Sequence, residues 1–359
     1  VKLAASREQF TDAVVQAAHG VPSRPAQPLH AGILLTAGDK TTLVSGDGDV
    51  LFTVSLDAET ANPGEVVLPG VLLSQMVKYL TGPQVTLETD GGRVLLSAGR
   101  TSFTLAAVEG RLYPSWKKLP ELAVTVDAAE LKAAVAMTVK AASEVHPVMS
   151  AVAVSVREGT LWLAATDEWC LAACGMTAAV TCDHFDVQAL VAAPVLKRLS
   201  PALGGEVVRA GWDDTVLTLA WQQVSVTTRQ MAGVFRPWRQ MLPGEGLAWV
   251  STDARELTRA VRMALLTEPA GGTVGMRLTG DAIIITGLGE RGSCGEQVEA
   301  VYAGPEMTLL LGGRMLLEGI AGCGDAVQMA ATGELRPLYL RGDAHPGFTW
   351  LIQPRRESW

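Results

Sequence analysis

The sequence predicts an α+β chain in which one module of about 120 residues occurs three times. The first observation behind this is a helix start that is written three times. It reads Ala5-Ser6-Arg7-Glu8-Gln9-Phe10-Thr11-Asp12-Ala13-Val14, then Val126-Asp127-Ala128-Ala129-Glu130-Leu131-Lys132-Ala133-Ala134-Val135, then Thr252-Asp253-Ala254-Arg255-Glu256-Leu257-Thr258-Arg259-Ala260-Val261. Each copy has a polar, cap-like start and an acidic or amide first turn. Apolar residues follow four apart, at Phe10/Val14, Leu131/Val135 and Leu257/Val261, as the buried stripe of an amphipathic helix requires. Successive copies are offset by 121 and 126 residues. The second observation is a shared spacing of later landmarks. Gly82 and Gly204, which close a second helix, lie 122 residues apart, and so do the closing segments that begin at Tyr113 and Phe235. The third is the run of short alternating strands between these helices.

The module boundaries fall at 1–121, 122–245 and 246–359. In the first module the helix is followed by the proline-rich link Val21-Pro22-Ser23-Arg24-Pro25 and by strands at 32–36, 41–45 and 50–56, with a turn at Gly46-Asp47-Gly48-Asp49. Leu68-Pro69-Gly70 opens a second helix over 71–80, and strands follow at 85–89, 94–98 and 102–107 around an Asp90-Gly91 turn. The second module repeats the order: helix 127–143, strands 151–156, 160–165 and 171–176, helix 194–203, strands from Val207, at 216–221 and at 223–228. The third has a helix over 253–268, a hairpin of 275–278 with 283–286, a helix over 313–320, and strands at 335–340 and 348–352.

At 359 residues the chain is long enough for two or three domains with separate cores. Hydrophobic residues at 48% and charged residues at 18% fit a water-soluble globular protein. No apolar run reaches the ~18 residues of a membrane span, and the N-terminal stretch lacks a signal peptide's apolar core, so a cytoplasmic location is expected. Five cysteines, an odd number without paired CxxC spacing, are expected to be reduced thiols. A net charge of −8 argues against nucleic-acid binding over the whole surface and leaves room for a local basic face.

Several motifs have an ordinary reading that is preferred. Gly287-Leu288-Gly289-Glu290-Arg291-Gly292 matches GxGxxG, but a dinucleotide site needs a helix next. Residues 293–302 alternate like a strand, so a hairpin turn is expected. Asp47 and Asp49 lack the later ligands of an EF-hand loop. Cys174, Cys182 and His184 fit no standard zinc spacing. No serine, cysteine or carboxylate pair stands in a catalytic motif, so neither an enzyme nor a cofactor is expected.

The basic residues are more telling. Arg255, Arg259 and Arg262 fall at i, i+4 and i+7 on one face of a predicted helix, opposite Leu257, Val261 and Leu265. Lys132 and Lys140 share a face of the second module's first helix, and Lys197 and Arg198 lie in its later one. The six helical segments sum to +2 in a chain of net −8, the distribution expected if they face phosphates. A solvated helix face is the alternative reading of each.

Three helix-and-strand modules with these landmarks resemble the bacterial DNA polymerase III beta subunit, the sliding clamp family, over the whole length. The resemblance is densest in Val1–Pro25, Leu161–Met176 (with Ala165-Thr166-Asp167), Phe235–Pro243 and Leu351–Arg356. It implies modules with two helices inside and antiparallel sheets outside, in a head-to-tail dimer that forms a ring around double-stranded DNA. It also implies sequence-independent phosphate contacts, with Arg24 and Lys78 matching basic positions, whereas Val71, Leu72, Ala193 and Pro194 are apolar where the family is often basic.

On the same resemblance, Arg100, Phe103 and Leu105 form one ring-closing edge, and Leu265, Leu266, Glu290 and Glu296 form the edge that meets it. Phe103 and Leu105 could instead be plain core residues. The family's pocket for partner peptides maps to Met149, Thr166, Glu168, Trp169, Cys170 and Leu171; to Arg236, Pro237, Gln240 and Met241; and to Leu335, Pro337, Leu351, Gln353, Pro354, Arg355 and Arg356. This chain departs from the family there. Glu168-Trp169-Cys170 replaces the usual Gly-His-Arg, and Gln353-Pro354-Arg355-Arg356 replaces an apolar ending, before the tail Glu357-Ser358-Trp359. An indole and extra charges would reshape an apolar groove.

The implied function is that of a non-catalytic processivity factor at the nucleoid, tethering replicative polymerase, clamp loader and repair proteins. The altered pocket suggests a specialised second copy that rejects a peptide-mimicking inhibitor. The alternative is a clamp-like decoy that does not load on DNA.

Overall fold

The computed structural model describes residues 1–113, 119–181, 188–267, 272–289 and 292–356. It contains the helices α1 (Arg7–Ala18), α2 (Gly70–Met76), α3 (Ala128–Thr138), α4 (Ala193–Leu199), α5 (Ala254–Thr267) and α6 (Gly313–Ala321). Three helices are shorter than expected: α2, α3 and α4 each tighten into a 3-10 turn, at Val77–Tyr79, Val139–Ala141 and Ser200–Ala202. The aspartates of the repeated helix start act as caps. Asp127 Oδ1 accepts the Glu130 N–H at 2.8 Å, and Asp253 Oδ1 accepts those of Arg255 and Glu256 at 2.8 and 2.9 Å. Ser6, in the first copy, makes no side-chain cap.

The chain divides into two compact units, one of residues 1–132 and 178–230, the other of 133–177 and 231–359. The split passes through the second module because each of its sheets continues a neighbour's. In the first unit a ten-stranded antiparallel sheet runs Val108–Glu109, Gly64–Pro69, Gly32–Ala37, Thr41–Gly46, Val50–Leu56, Val224–Arg229, Val216–Trp221, Val207–Trp212, Val124–Asp127, Ala179–Val180. Its seam is the pairing of Val224–Arg229 with Val50–Leu56, with Val226 opposite Phe52, both buried. A five-stranded sheet runs Ala58–Asn62, Lys2–Ser6, Gln84–Asp90, Arg93–Ala98, Thr101–Ala106. Lys2–Ser6, Ala58–Asn62 and Gly64–Pro69 were not anticipated as strands; the last two are mostly exposed or proline-ended, so their alternation is faint.

The Asp47 turn locks this unit. Asp47 Oδ1 accepts the N–H groups of Asp49 and Val50 at 3.1 and 2.9 Å, Gly48 takes φ +90°, and Oδ2 meets Arg198 of α4 at 3.2 Å. Next to it, the buried Tyr113 hydroxyl donates to the Gly32 carbonyl at 3.0 Å and accepts from the Gly46 N–H at 3.1 Å. Burial pushes that phenol up to about 12. Most of the predicted closing segment, 114–118, lies outside the described residues.

In the second unit one sheet carries, in order, Ala151–Arg157, Thr160–Thr166, Cys170–Thr177, Phe348–Ile352, Leu338–Gly342, Ala326–Ala330 and Val250–Asp253. A four-stranded sheet runs Gly292–Glu299, Ala282–Gly289, Thr273–Leu278, Met307–Gly312. Gly289 pairs with Gly292, so the GxGxxG stretch joins two antiparallel strands, although Glu290 and Arg291 lie outside the described residues. The strand expected from Leu335 starts at Leu338, because the Arg336 N–H closes a turn on Gly333 and Pro337 has no N–H for a ladder. Among the described residues no cluster of metal ligands forms; Cys182 and His184 are not among them. Cys170, Cys294 and Cys323 are free thiols. Among the described residues no helix is long and apolar enough to cross a membrane.

Two predictions test this packing. A Cβ added at Gly319 would stand 2.5 Å from the fully buried Trp350 ring. Gly319→Ala should therefore cost about 1–3 kcal/mol of stability by overpacking, read as a lower urea midpoint. The Asp47 carboxyl is raised by burial, but the Val50 N–H, the Arg198 guanidinium and the Asp49 N–H outweigh this and hold it below its ordinary 3.8. A carboxyl lowered on folding stabilises the fold above its unfolded pKa and loses that contribution as pH falls through the folded value. Asp47→Asn should cost about 1 kcal/mol at neutral pH. It should also flatten the loss of stability expected of the wild type as pH falls below 3.8.

Candidate functional site

Within the second unit, the strand register gathers most of the predicted pocket at one sheet end. Cys170 stands opposite Ile352, and Ile352 opposite Leu338, so Trp169, Gln353 and Pro337 line up just beyond the last row of the ladder. The Gln353 N–H donates to the Trp169 carbonyl at 2.8 Å and extends the pairing by one bond. Leu171 and Leu351, directly opposed, are buried in the sheet below.

The turn at Thr166-Asp167 shapes the rim. Asp167 Oδ1 accepts the N–H groups of Trp169 and Cys170 at 2.9 and 2.8 Å, while the buried Thr166 hydroxyl donates to the Cys170 carbonyl at 2.6 Å. This is the same aspartate turn that Asp47 makes 120 residues earlier. It forces Glu168 to φ +81°, a region that costs a side-chain-bearing residue about 1–2 kcal/mol. The glycine usual in the family would adopt it freely. The turn leaves the Trp169 indole 56% exposed, and Leu335, before Pro337, is 60% exposed. Glu168 Oε1 accepts a bond from Arg236 Nη2, with both side chains at the surface.

A cation–π and aromatic stack supports the neighbouring loop. Trp238 is fully buried, its ring 5.6 Å from that of Trp162, with the Arg239 guanidinium 4.4 Å from its centroid. Arg239 Nη2 donates to Ser155 Oγ at 2.8 Å. This anchors the 3-10 turn Trp238–Met241, which carries Gln240 and Met241 beside the exposed Arg236 and Pro237. Met149 is buried in the turn Val148–Ser150.

Two departures from the family look different in place. Arg355 is held by the four-stranded sheet: its N–H donates to the Leu310 carbonyl at 2.7 Å and its Nη1 to Thr273 Oγ1 at 2.6 Å. Pro354 is buried and Arg356 exposed; the tail 357–359 is outside the described residues. The Cys170 thiol is pushed up by burial and by the nearby Asp167 and Glu318 carboxylates, so it stays protonated and is no nucleophile. Glu318 is itself raised by burial and by Asp167, against the pull of Lys140. The arrangement offers recognition by shape, an exposed indole and a charged rim.

The basic positions divide into free and engaged. Arg24, Lys78, Lys132, Lys140, Lys197 and Arg262 are exposed. Arg198 lies against Asp47, Arg255 pairs with Asp325 at 3.4 Å, and Arg259 pairs with Glu296. Val71 is exposed on α2, as are Leu72 and Pro194, whereas Ala193 is buried.

Both expected edges are sheet edges. Thr101–Ala106 ends the five-stranded sheet and Gly292–Glu299 ends the four-stranded one. Arg100 is exposed and Phe103 half-buried, but Leu105 is buried: strand alternation turns both apolar side chains toward the core, and only Phe103 stays partly open. Leu265 is half-buried and Leu266 is 75% exposed. Glu296 engages Arg259 of its own chain, and Glu290 lies outside the described residues. A turn at Thr166-Asp167 is expected from the sequence and is present; the Glu168–Arg236 pair and the Trp162–Trp238–Arg239 stack have no such signal along the chain.

Comparison with known proteins places this architecture. The family described as DNA polymerase III beta subunit, N-terminal domain, matches residues 1–120. The beta sliding clamp of Streptomyces coelicolor is 26% identical over all of both chains. The beta sliding clamp homolog GriR of Streptomyces muensis is 24% identical, covering 88% of this chain and 86% of its own. Among solved structures, the DNA polymerase sliding clamp of Bacillus subtilis aligns with a TM-score of 0.89 at 21% identity over 99% of both chains. The Pseudomonas aeruginosa sliding clamp bound to griselimycin aligns equally well, at 0.89 and 19% identity over 99% of both. The fold is that of the sliding clamps, and residues 1–120 match the family of the DNA polymerase III beta subunit's N-terminal domain.

Proposed function

We propose that this protein is a DNA sliding clamp: a processivity factor that closes as a head-to-tail homodimer around double-stranded DNA. It tethers replicative polymerase, clamp loader and repair proteins by their clamp-binding peptides. In this reading the chain comprises three clamp domains, 1–121, 122–245 and 246–359, and works in the cytoplasm on the nucleoid. The observation that carries the proposal is the end-to-end likeness of its fold to sliding clamps. Two sheet edges, one flanked by Arg100 and Phe103 and the other by Leu266, supply surfaces for ring closure. Enclosure explains how an acidic chain stays on DNA: linkage by topology needs only weak phosphate contacts, for which Arg24, Lys78, Lys132, Lys140, Lys197 and Arg262 are exposed.

The pocket proposed for peptides is the sheet end around Trp169, Arg236 and Gln353. Its departures at Glu168-Trp169-Cys170 motivate a narrower reading, a specialised clamp copy whose pocket admits host peptides and turns an inhibitor away. A second reading, a decoy that captures clamp partners without loading, is favoured by the apolar Val71 and Leu72 and by the intramolecular ion pairs of Arg198, Arg255 and Arg259.

Light scattering should give a mass near twice the 37.8 kDa of the chain, and Leu266→Asp should reduce it to that of one chain. A wild-type monomer would overturn the ring. A clamp loader should place the protein on nicked circular DNA; retention of none after gel filtration would leave the decoy. In calorimetry a host polymerase tail peptide should bind at least about tenfold more tightly than griselimycin. Equal tight binding of both would remove the inhibitor-insensitive reading.

A further inference from the structure

The rim of the proposed peptide pocket contains a solvent-exposed ion pair, Glu168 with Arg236. Glu168 and Arg236 both lie largely at the surface. Glu168 is kept at φ +81°, where glycine would be unstrained, and Asp167 holds the turn in that shape through two backbone N–H groups. A residue kept in an unfavourable conformation at the mouth of a binding site points to a role in that site. The position of Glu168 gives the role. Its carboxylate occupies Arg236, the exposed guanidinium beside Pro237 on the loop that Trp238 anchors. The adjoining residue, Trp169, offers a half-open indole face with no charge of its own.

We propose that Glu168 is a specificity-determining residue of the pocket: by holding Arg236 it selects peptides with an uncharged side chain at that point of the rim and rejects those with a carboxylate there. This rests on the peptide-pocket reading above. An incoming carboxylate meets two costs, displacement of Glu168 from Arg236 and repulsion by the displaced anion. An amide or apolar group meets neither and can lie against Trp169. Because the pair is exposed, the discrimination is modest, roughly threefold to fivefold at low salt, and shrinks as salt rises.

The test uses the full-length protein and a host polymerase tail peptide, with versions carrying a single glutamate or glutamine at each position in turn. Calorimetric titration of wild type should show one position where the glutamine version binds more tightly than the glutamate version. In Glu168→Gln, Arg236 is released, and the glutamate version at that position should gain roughly fivefold over its glutamine twin. In the double variant Glu168→Gln/Arg236→Gln that preference for glutamate should vanish. Thermal melts of the variants check that each remains folded. An unchanged glutamate-to-glutamine ratio at every position in Glu168→Gln would overturn the inference while leaving the pocket intact. Failure of the parent peptide to bind wild type would overturn both the inference and the pocket.

Discussion

The backbone ladder between Cys170–Thr177 and Phe348–Ile352 is the constraint on which the candidate site depends. It is formed between segments far apart in sequence, and it fixes Cys170 against Ile352 to the residue. A slip of one residue would turn buried Leu171 and Leu351 toward the opposite face and move Trp169 away from Gln353. The ladder is held by the apolar side chains beneath it, including fully buried Phe348 and Trp350, on which α6 packs through Gly319 and Gly322. The site is therefore an end of a rigid sheet, not a mobile loop, and its rim inherits the sheet's precision.

On that support the chain places groups of two kinds. Trp162, Trp238 and Arg239 form a stacked layer that fixes a loop from behind, with the indole of Trp238 out of solvent. Glu168, Trp169, Arg236 and Leu335 stand at the surface, where a ligand would meet them. This division explains how the rim can diverge from the family pattern while the fold does not. Changes at exposed rim positions cost little stability, and the strained Glu168 is carried by a turn with several hydrogen bonds to spare. The same logic applies to Arg355, whose charge is absorbed by Thr273 and a backbone carbonyl.

The charged residues of the helices show how proximity in space revises a reading made along the chain. Arg255, Arg259 and Arg262 do share a helix face, as their spacing implies. Asp325 and Glu296, distant in sequence, reach the first two. Arg198, predicted to be exposed, is pulled onto Asp47 by a turn more than a hundred residues earlier. Helical periodicity tells which side chains point the same way; it says nothing of what comes to meet them.

Signals along the chain anticipate the order of the described helices, most of the described strands and the aspartate caps at Asp127 and Asp253. These are local: they depend on apolar spacing, cap chemistry and turn residues within a few positions. Helix ends were overrun because their last turns tighten to 3-10 geometry, and faint edge strands such as Ala58–Asn62 escaped because they bury little. Folding alone settles which strands of residues 122–245 join which neighbour, that Leu105 faces the core, and that Glu168 closes on Arg236. Each of those outcomes is a pairing between residues remote in sequence, chosen by the burial of whole sheet faces and by charges that meet only after folding.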